Sequence, residues 1–171
     1  MSVPILSIGL LYLLFSYSRL QAFRSLEKNG DASSTELIRE SRAVNDNPVY
    51  LLALGNAYLL EGKTDSANLV LQNATSVSPD KEIYYRLAGA QKENGNFVEA
   101  EKSLLFVSQV QPSLLMPKYL LAKLYLETKQ GQKWREMAEQ VLLHTPKVMN
   151  FDVAYMKDDI RNLLMQNTQI E

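Results

Sequence analysis

The 171-residue chain contains no cysteine and only one histidine. The missing thiols exclude a disulfide scaffold, a thiolate metal site and a cysteine nucleophile, although they assign no redox compartment. Glycine and proline are scarce, at 7 and 6 residues, whereas Leu, Ala, Glu, Lys and Gln are common. Those side chains lose little rotamer freedom in a helix, so the composition leans helical. Neither sign of charge dominates: 18 Lys and Arg stand against 19 Asp and Glu, scattered without a basic run. No strong field therefore points to nucleic acid. H-E-x-x-H, G-x-S-x-G, P-loop and G-x-G-x-x-G patterns are all missing. His144 has no second histidine to share a metal, and near a helix C-terminus it gains from the dipole. Asp158 and Asp159 are neighbours in sequence, which do not face one another on a helix, so a solvated face is expected rather than a carboxylate dyad. Asn73-Ala74-Thr75 matches a glycosylation acceptor but falls inside a helical pattern. The chain is expected to be no enzyme, with no catalytic residue, metal or cofactor.

What is present begins with an uncharged stretch from Met1 to Ser18. Its apolar run is Val3, Ile5, Leu6, Ile8, Leu10, Leu11, Tyr12, Leu13, Leu14 and Phe15. A membrane-spanning helix needs about 17–25 residues, so residues 1–19 are just long enough for a transmembrane or signal-anchor helix. A cleaved signal peptide would show a basic leader and a small-residue cleavage site, and neither precedes Arg19. A buried core helix is a further alternative. Arg19, Arg24 and Lys28 lie close behind the stretch, and the positive-inside tendency places its C-terminal side in the cytoplasm.

Beyond residue 47 the chain repeats itself. The segment from Pro48 carries Leu51, Leu54, Gly55, Tyr58, Gly62, Ala67, Leu71, Ala74 and Pro79. The next carries Tyr84, Leu87, Ala88, Gly95, Ala100, Leu104, Val107 and Pro112, with Gln91 in the tyrosine slot. The third matches at Leu121, Ala122, Tyr125, Val141 and Pro146. The spacing is about 34 residues, and this is the pattern of the tetratricopeptide repeat (TPR), a helix-turn-helix unit. The third unit departs twice, with Lys129 where a turn glycine is usual and Trp134 where a small alanine is usual. Either Trp134 and Ala138 exchange large for small at constant volume, or the turn shifts so that Gly131 bends. Asn96 and Glu99 read as a capping box, as do Ser33 and Glu36.

The fold expected is all-α: a TPR solenoid coiled into a right-handed superhelix. Residues 1–19 form the hydrophobic helix, 20–47 a degenerate first repeat, and 48–80, 81–114 and 115–147 three full repeats. Residues 148–171 form a capping helix and tail, with Val153, Met156, Ile160, Leu163 and Leu164 on one stripe. Lys157, Asp158, Asp159 and Arg161 are expected to point mostly outward.

A narrower likeness rests on particular runs. Lys118 to Thr128 reads KYLLAKLYLET, Thr145 to Val148 reads TPKV, and Asp159 to Leu164 reads DIRNLL. With Tyr17 to Leu20 leaving a hydrophobic helix ahead of the repeats, these resemble the TPR tail of O-antigen ligase/polymerase-like membrane proteins of Bacteroidetes. The resemblance covers most of this chain but only the family's tail, without the multi-spanning part that transfers sugars. It implies a bacterial inner membrane and a place beside proteins of cell-surface polysaccharide assembly, and it carries over no catalytic residue.

Helices A of a TPR array line its concave face, and such faces hold peptides or helices. The slots facing the groove include Asn56, Tyr85, Lys92, Tyr119 and Lys123, with Lys92 and Lys123 suited to an acidic ligand. An Asn with Lys or Arg across repeats marks the carboxylate-clamping TPR kind; only Asn56 and Arg86 echo it. The function expected is a membrane-anchored, non-catalytic module holding a protein or peptide partner in its groove. The alternative is a tail or fragment of an O-antigen ligase-like protein, and a stand-alone enzyme is a remote third.

Overall fold

The computed structural model describes residues 46–145 and 151–167. The expected hydrophobic helix, the degenerate first repeat up to residue 45, the Ser33–Glu36 box and Pro146 lie outside them. The described residues form seven α-helices and no strand. They fall into two compact units that divide between Asn94 and Gly95.

The first unit holds α1 (Pro48–Leu60), α2 (Thr64–Val77) and α3 (Lys81–Glu93). Asn47 starts α1: its side-chain oxygen accepts from the backbone N–H of Val49 at 3.0 Å and of Tyr50 at 3.2 Å. Proline then occupies the first turn, where its missing N–H costs nothing. Asp80 caps α3 likewise, accepting from the N–H of Glu82 at 2.7 Å. Pro79 comes just after the end of α2 and cannot extend it. α1 packs on α2, α2 on α3, and α1 also reaches α3, so each helix touches both of the others. Leu51, Ala67, Leu71, Ala74, Ile83, Leu87 and Ala90 form their shared core. Leu71 and Ile83 are fully out of solvent, each contributing roughly 1.5–3 kcal/mol of burial. The closeness of α1 to α2 depends on one glycine. A Cβ on Gly55 would lie 2.6 Å from both Cγ and Cδ2 of Leu71.

The second unit holds α4 (Phe97–Val110), α5 (Met116–Glu127), α6 (Gly131–Leu143) and α7 (Phe151–Asn167). α5 packs against α4 and α6, and α7 against α6 and α5. Leu104, Val107, Leu121, Ala122, Tyr125, Trp134, Ala138, Val141, Met156 and Ile160 are buried here.

The α1–α2 and α5–α6 turns are built alike, which accounts for Lys129 in the third repeat. After α1 the N–H of Gly62 donates to the carbonyl of Leu59 and that of Lys63 to the carbonyl of Tyr58. Gly62 takes φ +70°, the left-handed conformation that this helix ending requires. After α5, Lys129 donates to Leu126 and Gln130 to Tyr125, and Lys129 takes φ 57°. The lysine itself adopts the left-handed turn. Gly131 does not bend; it opens α6. Trp134 and Ala138 are both buried, the arrangement that the large-for-small exchange requires.

One local expectation fails. Asn96 precedes α4, but its side chain makes no capping hydrogen bond. Its ψ of 59° lies outside the extended range in which a capping side chain reaches back to the helix. Glu99 instead pairs with Lys102 at 2.7 Å.

Candidate functional site

Two of the expected groove residues meet in the first unit. Asn56 and Leu59 from α1, and Tyr85, Arg86, Gly89 and Glu93 from α3, line a hollow of about 500 Å³ together with Leu60. Asn56 is three residues before Leu59, and Tyr85 four before Gly89, so each set shares one helix face. Gly89 borders open space, since a Cβ there would meet nothing within 4 Å.

The polar groups at this hollow are incompletely matched. Oδ1 of Asn56 and the hydroxyl of Tyr85 are both shielded from solvent, and neither has a hydrogen-bond partner. A buried polar atom left unpaired costs about 1–3 kcal/mol. Burial, with the nearby Glu82 carboxylate, pushes the Tyr85 hydroxyl up to about 12, so it stays protonated and able to donate. Arg86 is paired with Glu82, its guanidinium 3.1 Å from the carboxylate. Lys92 is exposed and does not line the hollow.

Tyr119 and Lys123 lie in the second unit, and there the structure supplies a partner that the sequence did not indicate. The Tyr119 hydroxyl donates to Oδ2 of Asp159 at 2.9 Å, and Lys123 Nζ donates to the same oxygen at 3.0 Å. Asp159, expected to face outward, is turned towards α5 and half-buried. Burial alone would raise its pKa, but the hydrogen bonds from Lys123 and Tyr119 and the lysine charge hold it below the ordinary carboxylate value. Asp158 points elsewhere and pairs with Arg161. The adjacent carboxylates therefore form no dyad.

A second cluster repeats this chemistry. Glu101 accepts from the Tyr125 hydroxyl at 2.8 Å and from Lys133 Nζ at 2.8 Å, and Lys133 lies 5.1 Å from the Tyr125 ring centre. It ties α4, α5 and α6 together. Both Tyr–acid–Lys clusters satisfy their own charges and join helices, which is a structural role.

Lys157, also expected outward, donates to the carbonyls of Leu142 and His144 where α6 ends. These are carbonyls that a helix end leaves unsatisfied. His144 is the residue after α6, not within it. Burial, then the charges of Lys118 and Lys157, hold its pKa below the usual histidine value. Among the described residues no cluster of His, Asp and Glu is arranged to hold a metal.

No family model matches the chain, and no curated protein does. Solved structures do. It is similar to the crystal structure of MamA, with a TM-score of 0.61 and 16% identity over 80% of this chain and 89% of that one. It is also similar to MamA 41-end from Desulfovibrio magneticus RS-1, with a TM-score of 0.62 and 20% identity over 91% and 92% of the two chains. The MamA RS-1 ArsTM double mutant gives the same values. At these identities the likeness shows the fold alone: an all-helical, TPR-like chain.

Proposed function

We propose that the chain is a non-catalytic binding module that holds a protein or peptide partner against the hollow between α1 and α3. The observation that carries this reading is the hollow itself, which combines open space at Gly89 with unpaired polar atoms at Asn56 and Tyr85 on a TPR-like fold. A site with those features retains hydrogen-bonding capacity for a ligand, whereas the Tyr119–Lys123 pair already commits its donors to Asp159. The proposed site is accordingly centred on Asn56 and Tyr85. Gly89→Trp places a bulky ring at the hollow's lining from a position where a Cβ meets no neighbour. It is expected to abolish partner binding with helicity unchanged by circular dichroism. Undiminished binding would remove the hollow from consideration.

The reading includes a membrane anchor in residues 1–19 and a repeat domain on the cytoplasmic side of a bacterial inner membrane. Among the described residues no helix is long and apolar enough to cross a membrane, so the anchor rests on that N-terminal stretch. Deleting residues 1–19 should release the protein from carbonate-washed membranes. A reporter fused after Glu171 that works only outside the cytoplasm would reverse the orientation.

A second reading is the TPR tail of an O-antigen ligase/polymerase-like protein, working beside polysaccharide-assembly proteins. One observation favours it. Two of the runs that carry that resemblance, 118–128 and 159–164, are bonded to each other through Tyr119, Lys123 and Asp159. Similar sequence in both runs thus corresponds to one shared contact. Co-purification with a multi-spanning glycosyltransferase from native membranes, lost on Gly89→Trp, is the expected result.

A further inference from the structure

We infer that the outer face of α7 pairs this chain with a second copy of itself, the two α7 helices lying antiparallel about a two-fold axis beside Asp158. This surface belongs to the second unit and shares no residue with the hollow between α1 and α3.

The face of α7 turned to solvent is not the charged one that the sequence suggests. Lys157 is drawn to the carbonyls at the end of α6, and Asp159 to Tyr119 and Lys123 on α5. Val153, Met156 and Ile160 are buried. Phe151, Tyr155 and Met165 are the residues that point away, 82%, 57% and 65% exposed. Asp158 and Asn162, also exposed, lie between them. Successive steps of four, three, four and three residues place all five on one stripe of the helix. The Tyr155 hydroxyl bears on Tyr119, which anchors the ring while leaving it more than half exposed.

The stripe is complementary to itself. Phe151 lies seven residues before Asp158 and Met165 seven after it. Turned antiparallel about that point, each Phe151 meets Met165 of the second copy, a favourable ring–sulfur contact, and each Tyr155 meets Asn162 of the second copy. A two-fold axis makes every such pair twice. At the axis, Asp158 is already paired with Arg161 of its own helix. Two ion pairs therefore meet there, with two acids, two bases and no net charge. A lipid surface favours an uninterrupted apolar face, and Asp158, Arg161 and Asn162 interrupt this one. The stripe is about 21 Å long and about 10 Å wide, below the roughly 800 Å² that each partner gives to a stable complex, so the dimer is weak and reversible.

The chain has no cysteine, so single introduced cysteines report the geometry. Packed helices have axes about 8–10 Å apart, which brings the two Cα atoms at residue 158 to within about 6 Å, inside disulfide range. The two copies of residue 162 are offset by about 12 Å along the helix and fall outside it. With the full chain in detergent micelles and copper–phenanthroline as oxidant, Asp158→Cys should give a disulfide-linked dimer, and Asn162→Cys about tenfold less of it. Sedimentation equilibrium of the unaltered chain in density-matched detergent should show a reversible dimer. Phe151→Asp combined with Met165→Asp should weaken that dimer about tenfold or more. Both side chains already face water, so the helical circular dichroism should not change. Equal cross-linking at 158 and 162, no cross-link at 158, a monomer at every concentration, or a dimer indifferent to the double substitution overturns the inference. So does quenching of a fluorophore on Asn162→Cys by spin-labelled lipid in nanodiscs, which would give the stripe to the membrane.

Discussion

Two glycines in the first unit sit mid-helix, and the same substitution should have opposite signs at each. Alanine is favoured over glycine in a helix interior by about 0.8–1 kcal/mol. At Gly89 nothing opposes that gain, because the new methyl meets no atom within 4 Å. Gly89→Ala should stabilise by roughly 0.5–1 kcal/mol. At Gly55 the methyl would fall 2.6 Å from Cγ and Cδ2 and 3.2 Å from Cδ1 of Leu71. Carbon atoms pack at about 3.5–4.0 Å, so α1 and α2 must part by roughly 1 Å. Leu71 is fully buried in one cluster with Ala67, Ile83 and Leu87. Overpacking of this kind costs about 1–3 kcal/mol, which should outweigh the helix gain and leave a net loss of up to roughly 2 kcal/mol. Urea titration of the full chain in mild detergent, monitored by circular dichroism at 222 nm, measures both. The midpoints should move in opposite directions with unchanged slopes. Combining Gly55→Ala with Leu71→Val should recover part of the loss, because the two residues touch. If Gly55→Ala stabilises as Gly89→Ala does, the close approach of α1 to α2 is wrong.

The left-handed turn and the polar clusters give further outcomes. Lys129→Gly should stabilise by about 1 kcal/mol, since a lysine in left-handed conformation costs roughly 1–2 kcal/mol; an unchanged urea midpoint would mean that the turn is not strained. Asp159→Asn should remove part of the acid sensitivity of the second unit. The folded pKa of Asp159 lies below its unfolded value, so its stabilisation is complete above about pH 4 and fades as pH falls through the lower, folded value. Trp134 is the one tryptophan and lies in that unit, so its fluorescence during acid titration reads the effect; identical profiles for the two proteins would refute it. In proton NMR the sole histidine, His144, should titrate below its usual value, and Lys157→Met should move it upward by removing one of the charges that depress it. No movement would show that Lys157 does not face it.

The sequence alone determined what depends on neighbours along the chain. Periodic apolar residues, the small residues at Gly55 and Ala67, and proline after α2 specify helices that pair closely, so the all-helical, TPR-like character was legible. The turn at Gly62 was equally plain, because few residues besides glycine take that conformation at low cost. Lys129 was harder to place: a lysine carries no signal for the left-handed region, and only the repeated hydrogen-bond pattern shows that it takes the glycine's role. The candidate site divided in the same way. That Asn56 and Tyr85 lie on helix faces able to line a groove can be read from spacing, but that their polar atoms lack partners cannot. Tyr119 and Lys123 carry the same helical signal, yet Asp159, 40 and 36 residues away, engages them both. Periodicity tells which side of a helix a residue occupies. Which carboxylate, carbonyl or empty space stands opposite is decided only when the helices dock, because those partners are brought near by packing and not by the chain.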